Sequence, residues 1–408
     1  MKKQAIILIV AALAAASCVR NVTFAPDVLK NDVPIDFSWY ASRIQTTKAD
    51  ANYYVGGSTL GEERHLKSGT SMGVFGYFHP QESGAKGTWQ HGSGVYNTPN
   101  LFYNEPVSIT ESSGIYTYDY SNSRFWPKNK LDRISFIAYY PWNELNTSGS
   151  ASSSAIVEPF LDKYSQREGM VGFYYTVKLD AKDQVDFMVS DLCLEQSKAE
   201  WTEDNSKGLT GTANGKVKFY FHHALSQIRV RNVKFDTGGN EDVELKINYI
   251  VFNNVAVFGQ CIPVADFSST NASTGRTPVT PTWPTESIAP TRGDGTSGVK
   301  ADVCYSDPTD ESTLITDNIL LMIPHTFLPG ATIEVNFDVT RKKDDVTGEY
   351  YSYKGNTLTA PLTTTSVYGW EPGKIYTYNI LLDLYQIKVT ADVVDWLDAG
   401  EDVIMEKQ

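Results

Sequence analysis

Several stretches of this chain alternate apolar and polar residues with a period of two, and no long stretch carries an apolar stripe at helical spacing. In "ATIEVNFDV", Ile333, Val335, Phe337 and Val339 fall on one side, while Thr332, Glu334, Asn336 and Asp338 fall on the other. Successive side chains of a strand point to opposite faces, so this pattern suits a strand with one dry face and one wet one. "ELKINYIV" alternates through Leu245, Ile247, Tyr249 and Val251, and "IYTYNILLDL" through Tyr376, Tyr378, Ile380, Leu382 and Leu384. "QIKVTADV" does so through Ile387, Val389, Ala391 and Val393. The strongest helical candidate, "LEQSKAEWTEDN" from Leu194, is mostly polar. Frequent Thr and Val and 24 tyrosines also favour pleated, half-buried surfaces. An all-β chain of antiparallel β-sandwiches is expected.

With 408 residues the chain is too long for one ordinary core, which predicts two domains. The turn-rich "KGLTGTANG", Lys207 to Gly215, supplies the boundary, giving units 44–212 and 213–408. "SGSASSSA", Ser148 to Ala155, reads as a flexible loop by composition. Asp266 to Lys300 is rich in Thr, Pro, Ser and Gly with almost no aliphatics, so a long disordered loop is expected over 266–300. Within it, Trp283 between prolines is a candidate contact residue.

The first 18 residues speak to the compartment. "MKKQAIILIVAALAAASC" has a basic start at Lys2 and Lys3, an apolar run from Ala5 to Ala16, and small residues at Ala15, Ala16 and Ser17 before Cys18. The run falls short of the ~20 residues that cross a bilayer, so 1–17 reads as a signal peptide. A cysteine directly after the small residues resembles a bacterial lipobox, in which the thiol is acylated and the acyl chains hold the protein at a membrane. The pattern departs at Ala15, where Leu is usual, with Leu13 two residues earlier. A formal net charge of −13 disfavours nucleic acid as a partner. Cys193, Cys261 and Cys304 lie far apart, as one disulfide with a spare or as buried thiols. No spacing points to a metal or a cofactor.

Two motifs offer sharper chemistry. In "KVKFYFHHALSQIRVRN", His222 and His223 are adjacent, so on a strand they face opposite ways and do not share a metal. The apolar phase runs through Val217, Phe219 and Phe221, then resumes at Ile228 and Val230, which predicts a bulge or bend across "HHALSQ". Structural histidines at a strand corner are expected. "GTSMG", Gly69 to Gly73, matches a nucleophile elbow around Ser71, but a charged loop precedes it and the strand-like "GVFGYF" follows, the reverse of the required order. Ser71, His222 and His223 are therefore expected to have no catalytic role, and the chain is read as a non-enzyme. Glu62-Glu63 and Asp344-Asp345 read as solvated surface pairs.

Several short segments, taken in order, resemble the fimbrillin family of Bacteroidales type V pili. They are the lipobox ending at Cys18, "PIDF" followed by "QTTKAD", "MGVFGYF" at 72–78, "DFMVS" at 186–190, "FHHALSQIRV", "LLMIP" at 320–324, "WEPGKIYTYNI" at 370–380 and "VVDW" at 393–396. The resemblance spans nearly the whole chain, and places His223 in a structural strand signature. It implies two tandem transthyretin-like β-sandwich domains and a lipidated precursor carried to the outer membrane. It further implies a trypsin-like protease that removes the first strand, and other pilus subunits as partners in a surface fimbrium.

Applied to these residues, the removable segment is 18–43, with Ile35, Phe37 and Trp39 alternating against Asp36 and Ser38. Arg43 is the expected cleavage point and Lys48 its rival, while Arg20 lies too early to release the strand. The C-terminal run through Ile387, Val389, Ala391 and Val393, from about Gln386 onward, is the expected donor to a neighbour's groove, a case of β-augmentation. Two other readings compete with this one. A monomeric surface lipoprotein could bind glycans through Trp89, Tyr96, Trp142 or Trp283, with core the default for the first three, and a hydrolase could be built on "GTSMG".

Overall fold

The computed structural model describes residues 33–395, leaving aside 42–53, 56–64, 91–96, 147–155, 162–169, 199–209, 213–215, 236–242, 292–296, 303–319, 343–349 and 383–386 and the single residues 67, 114, 180, 273 and 365. Cys18, Arg20, Arg43, Lys48, Tyr96, Ser148 to Ala155, Cys304 and Leu384 lie outside the described residues.

The all-β expectation holds: among the described residues the regular structure is strand, with a few 3-10 turns. The largest sheet runs in the spatial order Asp36–Ala41, Lys216–His223, Met188–Ser190, Arg133–Tyr140, Thr70–His79, Phe102–Ser112, Ile115–Asp119. Thr70–His79 shows no alternation because both its faces are covered from Met72 onward. Its Gly73 is required by packing, since a Cβ there would fall 2.0 Å from the Tyr139 ring of the adjoining strand.

The sheet curls until its two ends meet. Ile35 N–H donates to Arg124 O at 2.8 Å and Trp126 N–H to Val33 O at 3.2 Å. The segment that follows Ile115–Asp119 thus lies along the start of the first strand, on the side away from Lys216–His223.

Two four-stranded sheets form the C-terminal sandwich. One has the order Leu320–Met322, Ser226–Phe235, Lys374–Leu382, Ile387–Asp395; the other has Val299–Asp302, Val243–Asn253, Thr332–Lys342, Tyr350–Pro361. Phe252 of the second sheet meets Tyr378 of the first at 5.9 Å, and also touches Trp370. The alternation read in 332–339 and 376–382 holds: Ile333, Val335, Phe337, Tyr376, Tyr378, Ile380 and Leu382 are all buried.

The sheets interleave across 212/213: Lys216–His223 belongs to the large sheet, and Phe258–Ala265 joins Gly172–Thr176 in a fourth sheet of order Val279–Thr282, Phe258–Ala265, Gly172–Thr176, Val157–Phe160. Two expectations need correction. First, 266–300 is largely ordered. Arg276–Thr277 pairs with Leu192–Cys193, Val279–Thr282 pairs with Phe258–Ala265, and Asp266 caps a 3-10 turn through Ser268. Second, the phase of Val243–Asn253 slips at a bulge between Ile247 and Tyr249, so Ile247, Ile250 and Phe252 are buried, not Tyr249 and Val251. Asn248 at the bulge donates to Asn336 and Asp338. The pairing is also mixed, because Asp36–Ala41 with Lys216–His223 and Ser226–Phe235 with Lys374–Leu382 are parallel.

Candidate functional site

The first strand is short, and among its described side chains Ile35 and Phe37 tie it to the large sheet. Ile35 and Phe37 are 1% and 0% exposed. The Phe37 ring packs edge-on against Phe102 and Phe136 at 5.4 and 5.9 Å, stacks on Phe219 at 5.5 Å and leans on Tyr120 at 5.6 Å. Burying one phenyl side chain in this way contributes roughly 3 kcal/mol. Asp36, on the opposite face, sits 3.2 Å from Lys216 Nζ, and Tyr120 O–H donates to Ile35 O at 2.7 Å.

The partner strand supplies the other wall. Phe37 is in register with Val217 and Trp39 with Phe219, over six paired positions from Asp36 and Lys216 to Ala41 and Phe221. On its far side Lys216–His223 pairs with Met188–Ser190 only from Phe221 onward. Among the described pairings, 216–220 is laddered to the first strand, while Tyr220 O accepts from Asp191 N–H and Lys218 O accepts from the Cys193 thiol. If residues 35–41 were withdrawn, what remained would be an open strand edge beside a socket of four aromatic rings.

The core face of this strand carries Val217, Phe219, Phe221 and His223; the other face carries Tyr220 and His222. The two histidines point to opposite faces and find different acids: His222 Nε2 lies 2.6 Å from Asp191 Oδ1, and His223 Nδ1 lies 2.7 Å from Asp186 Oδ2. The chain turns at Ala224 and Leu225, the predicted bend. Asp191 also accepts from Arg276 Nε and from Val279 N–H at 3.0 Å, and the Arg276 guanidinium lies 4.0 Å over the Tyr220 ring. Burial pushes the Asp191 carboxyl up, but hydrogen bonds and charge from His222 and Arg276 outweigh it and hold the carboxyl below its ordinary range. Trp283 Nε1–H donates to Ala224 O at 2.8 Å. The 266–300 segment is thus fastened to the back of the groove strand.

Ser71 lies within the Thr70–His79 strand, opposite Ser108, so the strand-to-helix turn of a nucleophile elbow is absent there. Among the described residues no group of His, Cys, Asp and Glu is arranged to hold a metal ion. Cys193 and Cys261 are free buried thiols. No helix among them is long and apolar enough to cross a membrane.

The C-terminal strand is docked in its own chain, antiparallel to Lys374–Leu382 along its whole length. Ile387, Val389 and Ala391 are half-buried against the core, while Val393 and Val394 are 43% and 46% exposed. Of the aromatic residues proposed for glycan stacking, Trp89 is buried against Tyr77, and Trp142 and Trp283 are half-buried with their indole N–H groups bonded to Asn104 O and Ala224 O. Among the described residues the exposed aromatics are others: Tyr103, Tyr350, Tyr351, Tyr353 and Tyr368.

A family model described as fimbrillin-like matches residues 59–396. Among solved structures, a fimbrial protein from Bacteroides vulgatus ATCC 8482 is similar, with a TM-score of 0.53, 18% identity, and coverage of 89% of this chain and 99% of that one. A candidate cell adhesion protein from Bacteroides uniformis ATCC 8492 aligns at 12% identity and a TM-score of 0.41, covering 81% of this chain and 93% of that one. No curated protein matches the sequence.

Proposed function

The chain belongs to the fimbrillin-like family, and from that membership we propose that it is a structural or adhesive subunit of a cell-surface pilus, assembled by protease-triggered strand exchange. The observation that supports this mechanism is the seat of the first strand. Phe37 is fully buried among four rings, yet its strand sits at one end of the sheet, with 216–220 depending on it for ladder partners. Such a strand can be exchanged for another of similar chemistry without disturbing the strands beyond. In this reading Cys18 carries the lipid that holds the precursor at the outer membrane. A trypsin-like protease cuts after Arg43, or at Lys48, and the C-terminal segment of another subunit fills the vacated groove. Head-to-tail donation of this kind does not close on itself and builds a filament.

Purified protein cut by trypsin should form ladders that resist mild denaturant, whereas Arg43→Ala combined with Lys48→Ala should remain monomeric. Normal ladders from the double variant, or their persistence after deletion of residues 386–408, would contradict the mechanism. The glycan-binding alternative draws support from Tyr350, Tyr351 and Tyr353, which stand exposed on one long edge strand, since rigid aromatic side chains of this kind suit ring stacking.

A further inference from the structure

The groove asks for a particular order of side chains. Read from N- to C-terminus, its present occupant is an aliphatic residue in a closed pocket, an acid beside Lys216, and an aromatic ring in the socket: Ile35, Asp36, Phe37. The pattern Ile or Val, then Asp, then an aromatic residue occurs three times in the chain, at 35–37, 185–187 and 394–396. The second is committed to the core, with Asp186 and Phe187 buried. The third is Val394-Asp395-Trp396, at the end of the last strand, where Val394 is exposed and Asp395 pairs with Lys374 at the surface.

We propose that Val394-Asp395-Trp396 of a neighbouring copy occupies this groove, with Val394 in the place of Ile35, Asp395 beside Lys216 and Trp396 in the socket of Phe37. The inference rests on the strand-exchange reading and narrows it. Because the order of residues matches in the same N-to-C sense, the incoming strand runs parallel to Lys216–His223, as the first strand does. Other registers fit less well. Ile387-Lys388-Val389 would set Lys388 against Lys216, and Ala391-Asp392-Val393 would leave both pockets underfilled, at the cost of cavities. An indole is larger than a phenyl ring, and the half-buried Tyr120 borders the socket on the side where room can be made. Beyond the triplet the match ends, with Leu397 in the place of Ser38 and Asp398 in that of Trp39.

Length allows the crossing. The first strand is 6 residues long, Asp36–Ala41, and in this register it corresponds to 395–400 of a chain that runs to 408. Ile387, Val389 and Ala391, which pack against their own core, can then stay in place while the exposed end leaves.

The test is ladder formation by the trypsin-cut full-length protein. Trp396→Ala should lower the ladder yield at least about tenfold, the loss expected for an anchoring aromatic, while Trp396→Phe should retain it and both should melt like the wild type before cleavage. Asp395→Lys should lower the yield, and Lys216→Asp added in the same chain should restore it. That rescue separates Lys216 from Lys374, the acid's partner within its own chain. Wild-type ladders matched by both Trp396→Ala and Asp395→Lys would overturn this register and leave strand exchange standing, as would an Asp395→Lys loss that Lys216→Asp did not repair. Absence of ladders from the wild type itself would instead overturn strand exchange.

Discussion

Asp191 has no exposed side-chain surface and takes donors from three separate elements: His222, Arg276 and the backbone of Val279. A buried carboxylate is tolerated only when its charge and lone pairs are matched, and removing it strands its donors. Asp191→Asn should therefore destabilise the fold by about 3 kcal/mol at pH 7 in denaturant titrations. The pH dependence has a definite sign. The carboxyl is held lower in the folded chain than its unfolded value of about 3.9, so its contribution is complete above that pH and is lost as acid takes the medium through the folded value. The gap between wild type and Asp191→Asn should be present at pH 5 and close as the pH falls below about 4; a gap unchanged down to pH 2 would contradict the assignment. None of this was legible in one sequence. The bend and the opposed histidines follow from the phase slip in "FHHALSQIRV", but Asp191 and Arg276 lie 31 and 54 residues from His222, and nothing in period or composition pairs them.

Elements with a clean period were read well, and those whose order comes from neighbours were not. Thr332–Lys342 and Lys374–Leu382 alternate because each has one buried face, whereas Val243–Asn253 hides a bulge that moves its apolar face by one residue. The segment from Asp266 to Lys300 is the clearest failure. Its Thr, Pro and Ser content signals a chain that cannot build a core alone, yet it needs only to lean on one: Val279 is buried, Thr277 pairs with Leu192, and Trp283 meets Tyr175 and Phe187 edge-on. In limited trypsinolysis of the native protein, the bond after Arg276 should resist cleavage until global unfolding, and Trp283→Phe should cost about 1 kcal/mol through the lost bond to Ala224 O. Early cleavage at Arg276 would show that this segment opens on its own.

At the scale of the whole molecule, the sequence conveys an all-β chain, but not how its sheets interleave. Lys216–His223 stands after the expected boundary and completes the sheet of the preceding residues, while Phe258–Ala265 extends another, because strand partners many residues apart leave no local trace. This interleaving gives the groove strand a firm back, through Asp191, Arg276 and Trp283, and leaves its front dependent on residues 36–41. Backbone amide hydrogen exchange over Lys216 to Tyr220 tests this division most directly, measured on the intact protein, on the trypsin-cut monomer and on the assembled polymer. Protection should be present in the intact chain, lost on cleavage while the rest of the large sheet stays protected, and regained in the polymer. Protection of 216–220 that survives cleavage, or that fails to return on assembly, would contradict exchange at this groove.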